Sequence, residues 1–149
     1  MANPGEPRPV LLLVEDNAFD EALTLRAFNK QNTTSSIVVT RDGAEALSYL
    51  IGHPGQPPGD LPKLVLLDLN LPGIDGFEVL RRLRAHQRSR LLPIVILTSS
   101  LDEKDLARCY ALGANSYIRK PVDYTEFVKV ASALSDYWLG LNQSPPVVN

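Results

Sequence analysis

"LVLLDLNLPGIDG" occupies residues 64–76. Its opening Leu64-Val65-Leu66-Leu67 is too short for a helix and shows no polar alternation, so it reads as a strand covered on both faces. The run then ends on Asp68, which carries a carboxylate straight out of a hydrophobic core. Leu71-Pro72-Gly73 follows at once and turns the chain aside, because proline and glycine punctuate structure and cannot continue a buried strand. An acid at a strand's C-terminal end stands where an open parallel α/β sheet would present it. There, ligands bind in the crevice beyond the carboxyl ends of the strands.

Working outward, four further runs share this character: "VLLLV" (10–14), "SIVVT" (36–40), "IVILT" (94–98) and "SYIR" (116–119). Amphipathic segments lie between them, at about 18–31, 43–51, 76–86, 103–112 and 124–139. In the last, Phe127, Val130, Ala131, Leu134, either Tyr137 or Trp138, and Leu141 recur at helical spacing. Five strands alternating with five helices predict an α/β fold, a doubly wound five-stranded parallel sheet with right-handed crossovers and helices on both faces. "GHPGQPPGDLP" (52–62) holds four prolines and three glycines and reads as a loop before the third strand. Residues 1–9 and 142–149 read as tails around one domain at 10–141.

Bulk properties narrow the function. The 149 residues have 44% hydrophobic and 21% charged content and a net charge of −2, ordinary for a soluble domain and unsuited to polyanions. The single cysteine, Cys109, forms no internal disulfide, and no apolar run approaches the roughly 20 residues that span a bilayer. A cytoplasmic protein is expected, with no membrane or nucleic-acid partner. "RRLRAHQRSR" (81–90) invites a nucleic-acid reading, yet its arginines interleave with Leu83 after Val79 and Leu80, as on a solvated helix face.

The polar residues collect at the strand ends: Glu15-Asp16, Asp68, Thr98 and Arg119-Lys120. Carboxylates crowded on one mouth repel one another unless a cation joins them. Hard oxygen ligands suit Mg²⁺, and a carboxylate beside Mg²⁺, with an ammonium and a hydroxyl, has the parts to receive a phosphoryl group. Taken alone, Asp68 could cap a loop, Asp16 or Asn17 could cap a helix, and Asp75-Gly76 reads as a turn and cap.

Together, "LLLVEDN", "LVLLDLNLPGIDGFEVLRRLR", "PIVILTSS" and "ALGANSYIRKP" resemble the receiver domain of two-component response regulators, from about Val10 to Leu139. The resemblance implies a flavodoxin-like (βα)5 fold and a Mg²⁺-dependent transfer from a histidine kinase to Asp68 as phosphoacceptor. It implies that Asp16, Asp68 and the backbone carbonyl of Asn70 hold the metal, with Glu15 acting through water. Thr98 and Lys120 would bind phosphoryl oxygens, Pro121 would follow a cis peptide bond, and Thr98 with Tyr117 would form the switch. The Pro-rich insertion, the ending "PVDYTEFVKVASALSDYW" and the lack of an output domain resemble the single-domain regulators that serve phytochrome-type kinases.

The apolar edge of the fourth helix, fifth strand and fifth helix is the expected homodimer face, and a separate downstream protein is expected. Such a chain is a switch, not an enzyme on a diffusible substrate. The alternatives are a phosphoryl shuttle or sink with the same site chemistry, and a phosphate-independent interaction module. A haloacid-dehalogenase-type phosphohydrolase is disfavoured, since its second acid would stand where Asn70 does.

Overall fold

A computed structural model describes residues 10–31 and 36–146. The expected tail at 1–9 lies outside the described residues, as do 147–149. The strands are β1 (Val10–Val14), β2 (Ser36–Thr40), β3 (Leu64–Leu67), β4 (Ile94–Thr98) and β5 (Ser116–Arg119). The helices are α1 (Ala18–Asn29), α2 (Gly43–Ile51), α3 (Gly76–Ala85), α4 (Glu103–Ala111) and α5 (Tyr124–Leu134). All four strand pairings are parallel, in the order β2-β1-β3-β4-β5. The ends of β1, β3, β4 and β5 are therefore consecutive, the order that brings the strand-end acids and Lys120 to one mouth.

Side chains along a strand alternate between its faces, and this splits the core in two. Leu12, Val14, Val65, Leu67, Ile94 and Ile96 pack with α2, α3 and α4 residues on one side. Leu11, Leu13, Leu64, Leu66, Val95 and Leu97 pack with α1 and α5 residues on the other. The central β3 and β4 are buried at every residue, whereas the edge strands β2 and β5 are mostly half-exposed. Coverage on both faces thus holds at the middle of the sheet and weakens at its borders.

Each of the five α-helices begins on an Asx cap, whose side chain accepts from an otherwise unpaired backbone N–H. Asn17, Asp42, Asp75, Asp102 and Asp123 serve α1 to α5 in turn. Because Asn17 caps α1, the neighbouring Asp16 carboxylate is free for other work. The last helix departs from expectation. It stops at Leu134 and continues as a wider π-helix over Ser135–Leu141, closed by Asn142 N–H donating to Tyr137 O at 2.6 Å. The wider turn chooses between the two aromatics. Trp138 packs on the α1–α5 core, while Tyr137 and Leu141 remain exposed.

The arginine-rich stretch is absorbed structurally. Arg81 and Arg82 pair with Glu78. Arg88 donates to Leu50 O at 3.1 Å and Gly59 O at 2.7 Å, tying the Pro-rich loop to α2. Arg84 donates to Gly113 O at 2.8 Å, Arg90 O at 3.1 Å and Leu92 O at 2.7 Å. It also reaches Asn115 Oδ1 at 2.9 Å, the atom that accepts from Ile94 N–H at the start of β4. Arg84→Ala strands several carbonyls at once. It is expected to cost about 2–3 kcal/mol, or roughly 5–10 °C in melting temperature, without rescue by lysine, which lacks the planar fork. Calorimetry checks this against Arg82→Ala, expected to stay within about 0.5 kcal/mol of the parent.

Candidate functional site

The mouth of the sheet is built by the ladder itself. Glu15 N–H donates to Thr40 O at 3.0 Å and Asp68 N–H to Val14 O at 3.2 Å, so each acid continues its strand by one residue. Their side chains emerge where the strands end. Glu15 and Asp68 are buried and Asp16 is exposed, yet each offers a carboxylate oxygen within 4.8 Å of the others'. This is a set of hard oxygen donors that fits a divalent cation.

Lys120 reaches the same point from the end of β5. Its ammonium donates to Glu15 Oε1 at 2.5 Å, Asp20 Oδ2 at 2.9 Å and Asp68 Oδ2 at 2.9 Å, and its side chain is only 7% exposed. Those carboxylates hold the ammonium pKa above the ordinary lysine value against the opposing effect of burial. Burial pushes the Glu15 carboxyl up to about 7, opposed by the Lys120 hydrogen bond and reinforced by the nearby charge of Asp68. Four carboxylates, those of Glu15, Asp16, Asp20 and Asp68, and one ammonium thus share this mouth.

The peptide bond before Pro121 is trans, as are all peptide bonds among the described residues, so the expected cis-proline is corrected. The trans form is favoured by about 0.5–1 kcal/mol even before proline. The four-carbon lysine stem reaches all three acids from that geometry.

Asn70 lies beside Asp68, its N–H donating to Asp68 Oδ1 at 3.3 Å. Thr98 is fully buried, and its hydroxyl oxygen accepts from Ser100 N–H at 3.3 Å. Tyr117 is half-buried and donates its hydroxyl to Ser100 O at 3.4 Å. Ser100 therefore touches both members of the expected switch through its two backbone groups. Its side chain donates to Asp105 Oδ2 at 2.7 Å, which anchors that loop to α4.

Sequence reasoning passed over Asp20. An acid in the first turn of a helix is ordinary, since the positive end of the helix dipole favours it, so composition alone does not flag it. The available signal was its place one turn beyond the acid pair. His53 and His86 stand apart from this mouth: His53 bonds within its loop to Gln56, and His86 ends α3.

The chain matches the response regulator receiver domain family over residues 11–132. It is 43% identical over 136 residues to a probable methanogenesis regulatory protein, FilR2, of Methanothrix harundinacea, covering 91% of this chain and 87% of that one. The phosphorylated cyanobacterial phytochrome response regulator RcpA superposes with a TM-score of 0.87 at 32% identity, covering 94% and 100% of the two chains. The Mn²⁺-bound form of the response regulator Rcp1, a protein of Synechocystis, superposes with a TM-score of 0.82 at 31% identity, covering 94% and 100%.

Proposed function

We propose that this chain, which belongs to the response regulator receiver domain family, takes a phosphoryl group from a histidine kinase onto Asp68 and signals through the surface that changes in response. Phosphorylation-dependent signalling is the general function of the family. The observation that carries the assignment to Asp68 is the Lys120 ammonium 2.9 Å from its carboxylate, at the edge of a three-acid cluster.

An Asp68 oxygen attacks phosphorus as the nitrogen–phosphorus bond to the kinase histidine breaks, and the imidazole leaves with that electron pair. Lys120 follows the charge from the carboxylate to the phosphoryl oxygens. Asp16, Asp68 and the Asn70 carbonyl would hold Mg²⁺, with Glu15 acting through water; the ion when bound neutralises charge on the transferred group. Mg²⁺ is the proposal; a divalent cation is what the donor set and the Mn²⁺-bound relative support. Hydrolysis breaks the same oxygen–phosphorus bond when water attacks.

Thr98 would turn its hydroxyl from Ser100 N–H toward the phosphoryl group. Ser100 would then shift, and Tyr117, bound to its carbonyl, would move with it. A local charge event thereby biases the β4–α4 loop and the α4–β5–α5 face. Tyr110 and Val122 stand exposed there, which supports that face as the place where two copies pair. The phytochrome-regulator relatives support a phytochrome-type kinase as donor. Membership of the receiver family supports a cytoplasmic location; among the described residues no helix is long and apolar enough to cross a membrane.

Incubation with Mg²⁺ and acetyl phosphate, followed by intact-mass measurement, tests the site. One phosphoryl adduct on the parent protein, lost on chelation and absent from Asp68→Asn, is the expected result. An unlabelled parent, under conditions that label another receiver, would leave a phosphate-independent interaction module as the better account.

A further inference from the structure

The first turn of α1 supplies a carboxylate that stands outside the metal-binding set. Asp20 accepts from Lys120 at 2.9 Å, yet the acid cluster that fits a cation comprises Glu15, Asp16 and Asp68. An ammonium has three N–H donors. Here Glu15, Asp20 and Asp68 account for three, so Lys120 has no donor to spare for a phosphoryl oxygen until one carboxylate withdraws.

We propose that Asp20 is a positioning residue for phosphoryl transfer, the anchor that keeps the Lys120 ammonium over Asp68 while the other two acids are drawn away. The proposal rests on the reading of Asp68 as phosphoacceptor. A divalent cation competes with Lys120 for the electrons of Glu15 and Asp68. When the oxygen–phosphorus bond forms, Asp68 becomes an uncharged acyl group and its negative charge passes to the phosphoryl oxygens. Asp20 is the partner that neither event removes.

The backbone equips it for this. Asp20 N–H donates to Asn17 Oδ1 at 3.0 Å, and its carbonyl accepts from Thr24 Oγ1 at 2.7 Å, so the carboxylate stands on a turn fixed at both ends. Lysine is the opposite, a point charge on a flexible stem with rotamer entropy to lose. A fixed carboxylate reduces what must be ordered when the phosphoryl group arrives. At 26% exposure Asp20 sits on the rim, whereas the Lys120 and Glu15 side chains are 7% and 2% exposed. The pairing therefore joins a buried ammonium to an acid on the rim.

The test combines labelling rates with the state of the ammonium. Acetyl phosphate and Mg²⁺ are supplied to the full chain, as parent and as Asp20→Asn, Asp20→Glu, Lys120→Ala and the Asp20→Asn/Lys120→Ala double variant. Circular dichroism fixes a temperature at which all are folded. Asp20→Asn is expected to label about tenfold more slowly, the size of one partly exposed charge-assisted hydrogen bond, and Asp20→Glu to recover most of that loss. The double variant is expected to label no more slowly than Lys120→Ala alone, because an anchor has nothing to hold once the ammonium is gone. Independently of labelling, the Lys120 side-chain ammonium in ¹⁵N-lysine protein with Mg²⁺ should give a slowly exchanging NMR signal that broadens in Asp20→Asn. An Asp20→Asn variant that labels at the parent rate, a loss that persists in the Lys120→Ala background, or an unaltered ammonium signal would each overturn the proposal. Failure of the parent itself to label, whatever stands at position 20, would instead bring down the reading of Asp68 on which it rests.

Discussion

Lys120→Ala is expected to slow phosphorylation of Asp68 by at least about a hundredfold, the usual cost of removing one donor aimed at developing charge. It is also expected to destabilise the metal-free protein by about 3 kcal/mol, because breaking a buried ion pair leaves its partner uncompensated. For a chain of this size that is roughly 6–12 °C in melting temperature. Three carboxylates lose a shared ammonium at once: Glu15, Asp20 and Asp68. The pH dependence has a definite sign. The Glu15 carboxyl lies at about 7 in the folded protein against 4.5 ordinarily, so the folded state binds more protons than the unfolded state between those values. Stability from this group is complete below about pH 4.5 and declines as pH rises toward 7. Without Lys120, whose hydrogen bond lowers that pKa, the decline extends to higher pH. The deficit of Lys120→Ala against the parent should therefore be larger at pH 8 than at pH 5. A divalent cation in hundredfold excess over its dissociation constant would return about 2.7 kcal/mol. Calorimetry at both pH values, with chelator and with Mg²⁺, reads all of this. Equal melting temperatures for parent and variant at pH 8 in chelator would refute it.

Gly76→Ala is the second large effect, at about 2–3 kcal/mol from overpacking. A methyl group at this first residue of α3 would sit 2.3 Å from the Asp68 carbonyl oxygen and 2.6 Å from Leu69 Cα. Both are backbone atoms, so no side chain can rotate out of the way. Either α3 lifts from the end of β3 or the chain at Asp68 shifts, and Mg²⁺-dependent labelling of the folded protein should fall together with stability. Gly73 provides the contrast. Its φ of +70° lies in the left-handed region, but a methyl group there meets nothing within 4 Å. Gly73→Ala should cost about 1 kcal/mol of backbone strain and leave labelling unchanged. Thermal melts and labelling time courses on the pair separate the two causes.

Much of this molecule is legible in its residues for simple reasons. Short Val-, Ile- and Leu-rich runs locate the central strands because the middle of a parallel sheet is buried on both faces, and the acids at their ends become neighbours once the order β2-β1-β3-β4-β5 is granted. Asp75 and Asn17 are readable as caps because a helix start needs a side-chain acceptor. Other features depend on distances between segments far apart in the chain. Arg84 looks like one more solvated cation until Gly113 and Leu92 arrive beside it. The requirement for glycine at 76 comes from the Asp68 backbone it faces, which no local pattern records. The choice between Tyr137 and Trp138 turned on a π-helical widening, and the periodicity of an α-helix cannot express one. Asp20 stayed unnoticed because its partner lies on the far side of the sequence.

That separation has a consequence for how the protein is made. Lys120 follows Glu15 by 105 residues, Asp20 by 100 and Asp68 by 52. A ribosome working at about 5–20 residues per second completes this interval on the order of 5–20 s after the first acid emerges. Throughout that time the nascent chain carries its acids without their ammonium, and the strand that bears it, β5, has yet to join the sheet. A chain cut short between Asp68 and Lys120 thus holds Asp68 but lacks the ammonium that pairs with it. On the proposed reading, such a fragment would accept a phosphoryl group at least about a hundredfold more slowly than chains that carry Lys120. The last strand to be synthesised serves, in effect, as a certificate of completeness.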